Sequence, residues 1–176
     1  GSAEDEGLWI NDAIRSECLE TSSDTESLID NVISGKCGDL QNPNAVSAKD
    51  IKTFLEKNKS PMKNDANAFI DAAQKYRINP AFMLGISAAE SSFGTAGAGR
   101  TNMNPGNVKT SSSTLRAAGI SFKDHDSRGH VIFSSWRDGI MGMAEVLRRN
   151  YFNKGRDNLT KIASIYLEGN KNEWIN

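Results

Sequence analysis

The segment from Pro80 to Ser92, Pro-Ala-Phe-Met-Leu-Gly-Ile-Ser-Ala-Ala-Glu-Ser-Ser, constrains the fold more than any other, because Glu90 is its one charged side chain. Pro80 suits the first turn of a helix, where its ring presets φ and its missing N–H costs nothing. Gly85, Ala88 and Ala89 let neighbouring backbones approach closely. The segment therefore predicts a central, buried helix from Pro80 to about Ser92. A helix buried on several sides needs partners, and the rest of the chain supplies them as amphipathic stripes. Ser47 can cap a short helix through Leu55. After Pro61 a second helix carries Ala66, Phe69, Ala73 and Tyr76 on one face and ends before Asn79-Pro80. Ser135 and Asp138 make a capping-box pattern ahead of Ile140, Met143, Ala144, Leu147 and Tyr151. Leu159, Ile162, Ala163 and Tyr166 recur at helical spacing, and residues 171–175 add a final turn.

Sheet signals are sparse. Gly119 to His125 and His130 to Ser135 flank Asp126-Ser-Arg-Gly129 and read as a β-hairpin. Residues 94–119, dominated by Gly, Ser, Thr and Asn, read as irregular loop, and the stretch from Cys37 to Ser47 as a linker. Two short helices are expected ahead of it, around Leu8 to Leu19 and Thr25 to Ile33. The predicted fold class is α+β, mainly α, with a small β-hairpin lobe and no internal repeat. With 176 residues, 38% of them hydrophobic, one domain can bury a proper core. No apolar run approaches the ~20 residues of a membrane helix. Gly1-Ser2 reads as the remnant of a cleaved tag, which leaves room for an upstream signal peptide or anchor.

The net charge of −1 conceals an asymmetry. Residues 1–42 hold ten of the 22 acidic side chains and two of the 21 basic ones, Arg15 and Lys36, leaving 19 basic against 12 acidic beyond them. A module with that surplus suits a polyanionic partner. Nucleic acid is disfavoured, because the basic residues are scattered and no nucleic-acid-binding motif accompanies them. A bacterial wall is polyanionic as well. Cys18 and Cys37 enclose a short polar loop and read as one disulfide, worth roughly 3 kcal/mol of unfolded-state entropy. That bond would place the protein outside the cytoplasm, extracellular or in the cell envelope. Two buried free thiols remain the alternative. Zinc is disfavoured, since His125 and His130 offer no finger-like spacing, and neither a metal nor a cofactor is expected.

Met83, Ile86 and Glu90 share one helical stripe, so a carboxyl closes an otherwise apolar face. Partial burial disfavours its charged form and suits a general acid. A Glu that caps or salt-bridges the helix end is the plain alternative. Asp124 and Asp126 on the hairpin are the candidate second carboxylates. Strand alternation puts both on one face, so spacing does not choose between them; Asp126 also suits the turn, and Asp124 is preferred. Asp138 is expected to cap its helix and Glu145, off the apolar stripe, to be solvated. His125 and His130 are expected to be exposed hairpin residues.

Ala88-Ala-Glu-Ser-Ser-Phe-Gly94, followed by Asn104-Pro-Gly-Asn-Val-Lys109, resembles the signature of lysozyme-like glucosaminidases of glycoside hydrolase family 73 and their lytic transglycosylase relatives. The resemblance covers roughly residues 60–176. It implies a lysozyme-like domain over residues 46–176, preceded by an acidic N-terminal extension over residues 1–45. It also implies that Glu90 is the catalytic acid, that the second acidic residue lies on the hairpin lobe, and that Tyr166 lines a sugar cleft. Ser91, Asn104, Asn107 and Phe133 join Tyr166 as candidate substrate contacts, with core packing the alternative for Phe133 and Trp136. Asn107 stands where such glucosaminidases usually have Gly, and Asn is the best substitute for Gly at positive φ. No Gly-Leu-Met-Gln run of the transglycosylase type appears.

The function expected is endo-β-N-acetylglucosaminidase cleavage of peptidoglycan glycan strands by a monomer. A muramidase or lytic transglycosylase acting on the same substrate is the nearest alternative. A catalytically inert peptidoglycan-binding or scaffolding module is the alternative of another class.

Overall fold

The computed structural model describes residues 18–155. The predicted helices at Leu8 to Leu19, apart from its last turn, and beyond Asn158, with Tyr166, lie outside that range. Within it the helices are α1 (Thr25–Ile33), α2 (Ala48–Lys57), α3 (Ala66–Tyr76), α4 (Pro80–Ser91), α5 (Gly97–Thr101), α6 (Ser112–Ala117) and α7 (Trp136–Asn150). A two-stranded antiparallel sheet, β1 (Phe122–His125) and β2 (Val131–Phe133), precedes α7, and a 3-10 turn (Phe152–Lys154) follows it. The molecule is thus mainly helical with a small β lobe, as the sequence pattern implied.

Local chemistry explains the helix starts. Asp24, Ser47, Asn79 and Ser135 each accept a hydrogen bond from a first-turn amide of the helix they precede. Ten of the twelve residues of α4 are buried, from Pro80 through Ala88 and again at Ser91, so α4 is the central helix the composition required. Around it one continuous core gathers Leu28, Ile29 and Val32 of α1, Phe54 and Leu55 of α2, Phe69 and Ala73 of α3, and Ile140, Met143 and Leu147 of α7. The described part of the acidic N-terminal segment, from Cys18 on, is part of this core. Cys18 and Cys37 form the expected disulfide. Beside it Asn79, the cap of α4, donates from Nδ2 to Cys37 O (2.8 Å) and Asp39 O (2.9 Å).

A second, smaller core lies under the hairpin, with Val108, Leu115, Ile120, Val131, Phe133 and Val146. The strands pair Phe122 with Phe133 and Asp124 with Ile132, so that Lys123 forms a bulge. Two parts of the predicted loop are helical instead. Ser111 caps α6 by accepting from Thr114 N at 3.3 Å, and Leu115 buries at 1% exposure. Six residues with one apolar anchor are too few to show a period, which is why composition alone read them as coil. Glu145 also departs from expectation. It is 7% exposed, and both its oxygens accept from Arg149 Nε, at 2.9 and 3.0 Å. An (i, i+4) ion pair allows a carboxylate to sit where solvent was expected.

Candidate active site

Glu90 lies in the last turn of α4, after which the chain reverses through three successive left-handed residues, Ser92 (φ 48), Phe93 (φ 60) and Gly94 (φ 75). Phe93 is 2% exposed, so its ring is held by the core while its backbone is strained. Trp136, at the start of α7, rests on Gly94, where an added Cβ would meet the indole at 2.9 Å. This reversal ends α4 abruptly and leaves Glu90 beside the loop of residues 102–109.

That loop is fastened on both sides. Ser91 Oγ donates to Pro105 O at 2.8 Å, and Asn107 Nδ2 donates to Glu90 O at 2.6 Å, which tie it to α4. Asn104 Nδ2 donates to Val108 O (3.1 Å) and Val131 O (3.0 Å), and Asn104 Oδ1 accepts from Val108 N (2.9 Å), which tie it to β2. On the α7 side, Gly139 lies so close to Met103 O that a Cβ there would come within 2.0 Å of it. The loop is thereby wedged between the acidic end of α4, the hairpin and α7.

Burial drives the Glu90 carboxyl upward, and the Asn107 side chain works against it, leaving a pKa of about 8 compared with 4.5 for an ordinary glutamate. Glu90 Oε1 is buried and has no hydrogen-bond partner among the described residues. At neutral pH this group is a protonated acid in a dry setting, with a proton to give.

The hairpin aspartates differ sharply. Asp126 Oδ1 accepts from the Arg128 and His130 amides, at 2.9 Å each. Its Oδ2 accepts from Asn102 Nδ2 at 2.9 Å and His130 Nδ1 at 3.1 Å. Burial acts to raise this carboxyl, and the bonds from Asn102, His130 and Arg128 overcome it and bring it to about 2. Asp126 therefore holds the turn. Asp124 is exposed and, among the described residues, accepts from its neighbour's amide, His125 N, at 2.7 Å. The two side chains do not share one environment as strand alternation suggested, because Asp126 already belongs to the turn.

Several candidate substrate contacts are buried and bonded within the fold. Ser91 is 3% exposed, donating to Pro105 O and accepting from Gly94 N at 2.9 Å. Asn104 is fully buried and its amide is consumed by the bonds just described. Phe133 is fully buried in the small core, its ring against the Gly142 backbone. The histidines are half-buried, not exposed: His125 Nε2 donates to Thr110 O at 2.7 Å, and His130 serves Asp126. Asn102, which sequence reasoning did not single out, supplies the link between the loop and Asp126. No local pattern marks it, since its partner lies 24 residues away. Among the described residues no group of three or more His, Cys, Asp or Glu is arranged to hold a metal.

A model of the glucosaminidase family, described as mannosyl-glycoprotein endo-beta-N-acetylglucosaminidase, matches residues 66–175. That stretch begins with α3 and includes α4, the fastened loop, the hairpin and α7. Neither curated proteins nor solved structures contain a match to the chain. With well over half of its 176 residues matched around a half-buried acid, the chain belongs to the glucosaminidase family, glycosidases that act on glycans such as peptidoglycan.

Proposed function

We propose that the protein is an endo-β-N-acetylglucosaminidase of peptidoglycan glycan strands, with Glu90 as general acid. The observation that carries this is the Glu90 carboxyl itself: half-buried at a helix end, with one oxygen unpartnered among the described residues and a pKa of about 8. Glu90 gives its proton to the glycosidic oxygen as the bond to the sugar C1 breaks. The bonding electron pair leaves with that oxygen, which becomes a hydroxyl, and Glu90 becomes a carboxylate. Water then adds at C1, directly or after assistance from the substrate's acetamido oxygen, and gives one proton to a carboxylate. Of the two hairpin aspartates, Asp124 is the preferred base. It is exposed and free of the four bonds that occupy Asp126. Tyr166 completes the proposed cleft on the strength of the family resemblance.

The substrate side is supported by charge and redox chemistry. Beyond residue 42 basic side chains outnumber acidic ones, 19 to 12, which favours an anionic wall polymer. The Cys18–Cys37 disulfide fits an extracellular or envelope location. The test is a zymogram on purified sacculi with mass spectrometry of the released reducing ends. Clearing with N-acetylglucosamine at the reducing end is the expected result. Glu90→Gln is expected to reduce the rate by about 10²–10⁴-fold. N-acetylmuramic or anhydro-muramic ends would replace the bond assignment by muramidase or transglycosylase action. Binding without clearing by the parent protein would replace it by an inert wall-binding module.

A further inference from the structure

Among the buried side chains described, two oxygens lack a hydrogen-bond partner, Glu90 Oε1 and Asn107 Oδ1, and they belong to residues that bond to each other. Asn107 Nδ2 donates to the Glu90 main-chain oxygen at 2.6 Å. A main-chain carbonyl can only accept, so this contact fixes the carboxamide with its nitrogen toward Glu90 and its oxygen away. The nitrogen carries two hydrogens and the carbonyl takes one. The other remains available to the Glu90 carboxyl, whose pKa the Asn107 side chain lowers. The backbone that delivers it is rigid. Asn107 has φ 48, and its neighbour Val108 is bonded through both N and O to the buried Asn104.

We propose that Asn107 is a positioning residue for Glu90: it holds the last turn of α4 and the acid in one orientation and supplies the N–H that receives the carboxylate after the proton has left. The proposal rests on Glu90 acting as the acid. A dry carboxyl keeps its proton readily, but it gives that proton up only if the anion left behind is solvated by something. In this site an amide hydrogen takes the place of water. Its bond to a neutral carboxyl is ordinary, and its bond to a carboxylate is charge-assisted and stronger. The contact therefore gains strength as the proton moves, which is the condition for accelerating the step and not merely tightening binding.

Charged groups on the packed elements do not substitute for it. Asp126 is consumed in its turn, Asp138 accepts from Ser121 N and Ser135 Oγ, and Lys109 is exposed. None of them contributes to the Glu90 shift, whose causes are burial and Asn107.

The experiment compares the parent, Asn107→Gly, Asn107→Asp and Glu90→Gln by rate against pH on solubilised glycan strands, with thermal unfolding as the check on folding. Gly and Asp both accept positive φ, so neither adds backbone strain. Asn107→Gly is expected to lower kcat about tenfold with KM within about twofold, and to move the alkaline limb of kcat/KM above that of the parent. Asn107→Asp, which adds a negative charge beside the acid, is expected to move that limb further. An unchanged alkaline limb in both variants, or a loss confined to KM, would overturn the positioning role while leaving Glu90 as acid intact. Parent-like activity in Glu90→Gln would overturn both readings together. Should the Asp variant fail to fold, the Gly variant alone decides.

Discussion

At the scale of single residues, the two most perturbed carboxyls of the described chain, Glu90 and Asp126, moved in opposite directions for identifiable reasons. Glu90 lost water and gained one donor; Asp126 gained four. The stability consequence for Glu90 has a definite sign. Its folded pKa of about 8 exceeds the ordinary 4.5, so its protonated form favours the fold fully below pH 4.5. That contribution declines as pH rises and is gone above about 8. Glu90→Gln, a neutral isostere, is therefore expected to melt above the parent at about pH 9, by about 2–4 °C for each kcal/mol recovered. The difference should close at about pH 4; an offset of equal size at both pH values would contradict the buried-acid assignment. A group that destabilises the fold when ionised is retained where chemistry needs it. The same trade appears in Asn107 Oδ1, unpaired among the described residues, since an unpaired buried acceptor costs about 1–3 kcal/mol.

At the scale of elements, the site depends on how closely α7 approaches the loop of residues 102–109. Gly139 and Gly142 line that approach: a Cβ at the first would lie 2.0 Å from Met103 O, and at the second 2.4 Å from the Phe133 ring. Gly139→Ala would raise helix propensity by up to about 1 kcal/mol. The clash is with backbone, however, and backbone wedged between α4 and β2 cannot yield easily. The expected net result is a loss of about 1–3 kcal/mol in denaturant unfolding, with reduced activity because the loop carries Asn107. A variant as stable as the parent would show that the loop is less firmly wedged than its bonds to Ser91 and Asn104 imply. Element boundaries were legible because caps are local: Ser47, Asn79 with Pro80, and Ser135 each announce the helix they begin. The short helices α5 and α6 were not, because each holds less than two turns and one buried residue.

At the scale of the whole molecule, the acidic N-terminal segment from Cys18 on packs on the same core that supports Glu90. Its disulfide lies beside the cap of α4, so cross-link, cap and α4 form one mechanical unit. Replacing Cys18 and Cys37 together by Ser is expected to cost about 3 kcal/mol, or about 6–12 °C in Tm. Activity at room temperature should survive if the core alone holds α4; complete loss there would show that the brace also sets the geometry of Glu90. The sequence by itself determined the central helix, the amphipathic partners around it, the hairpin and the acid candidate. These follow from composition, period and capping within a few residues. Tertiary structure alone decided that Asn102 reaches Asp126, that Ser91 and Asn104 bond across to Pro105 and Val131, and that Asn107 reaches Glu90. The reason is physical. Those outcomes rest largely on contacts between residues 14 to 27 apart in the chain, and no local pattern carries the coordinates of a distant donor.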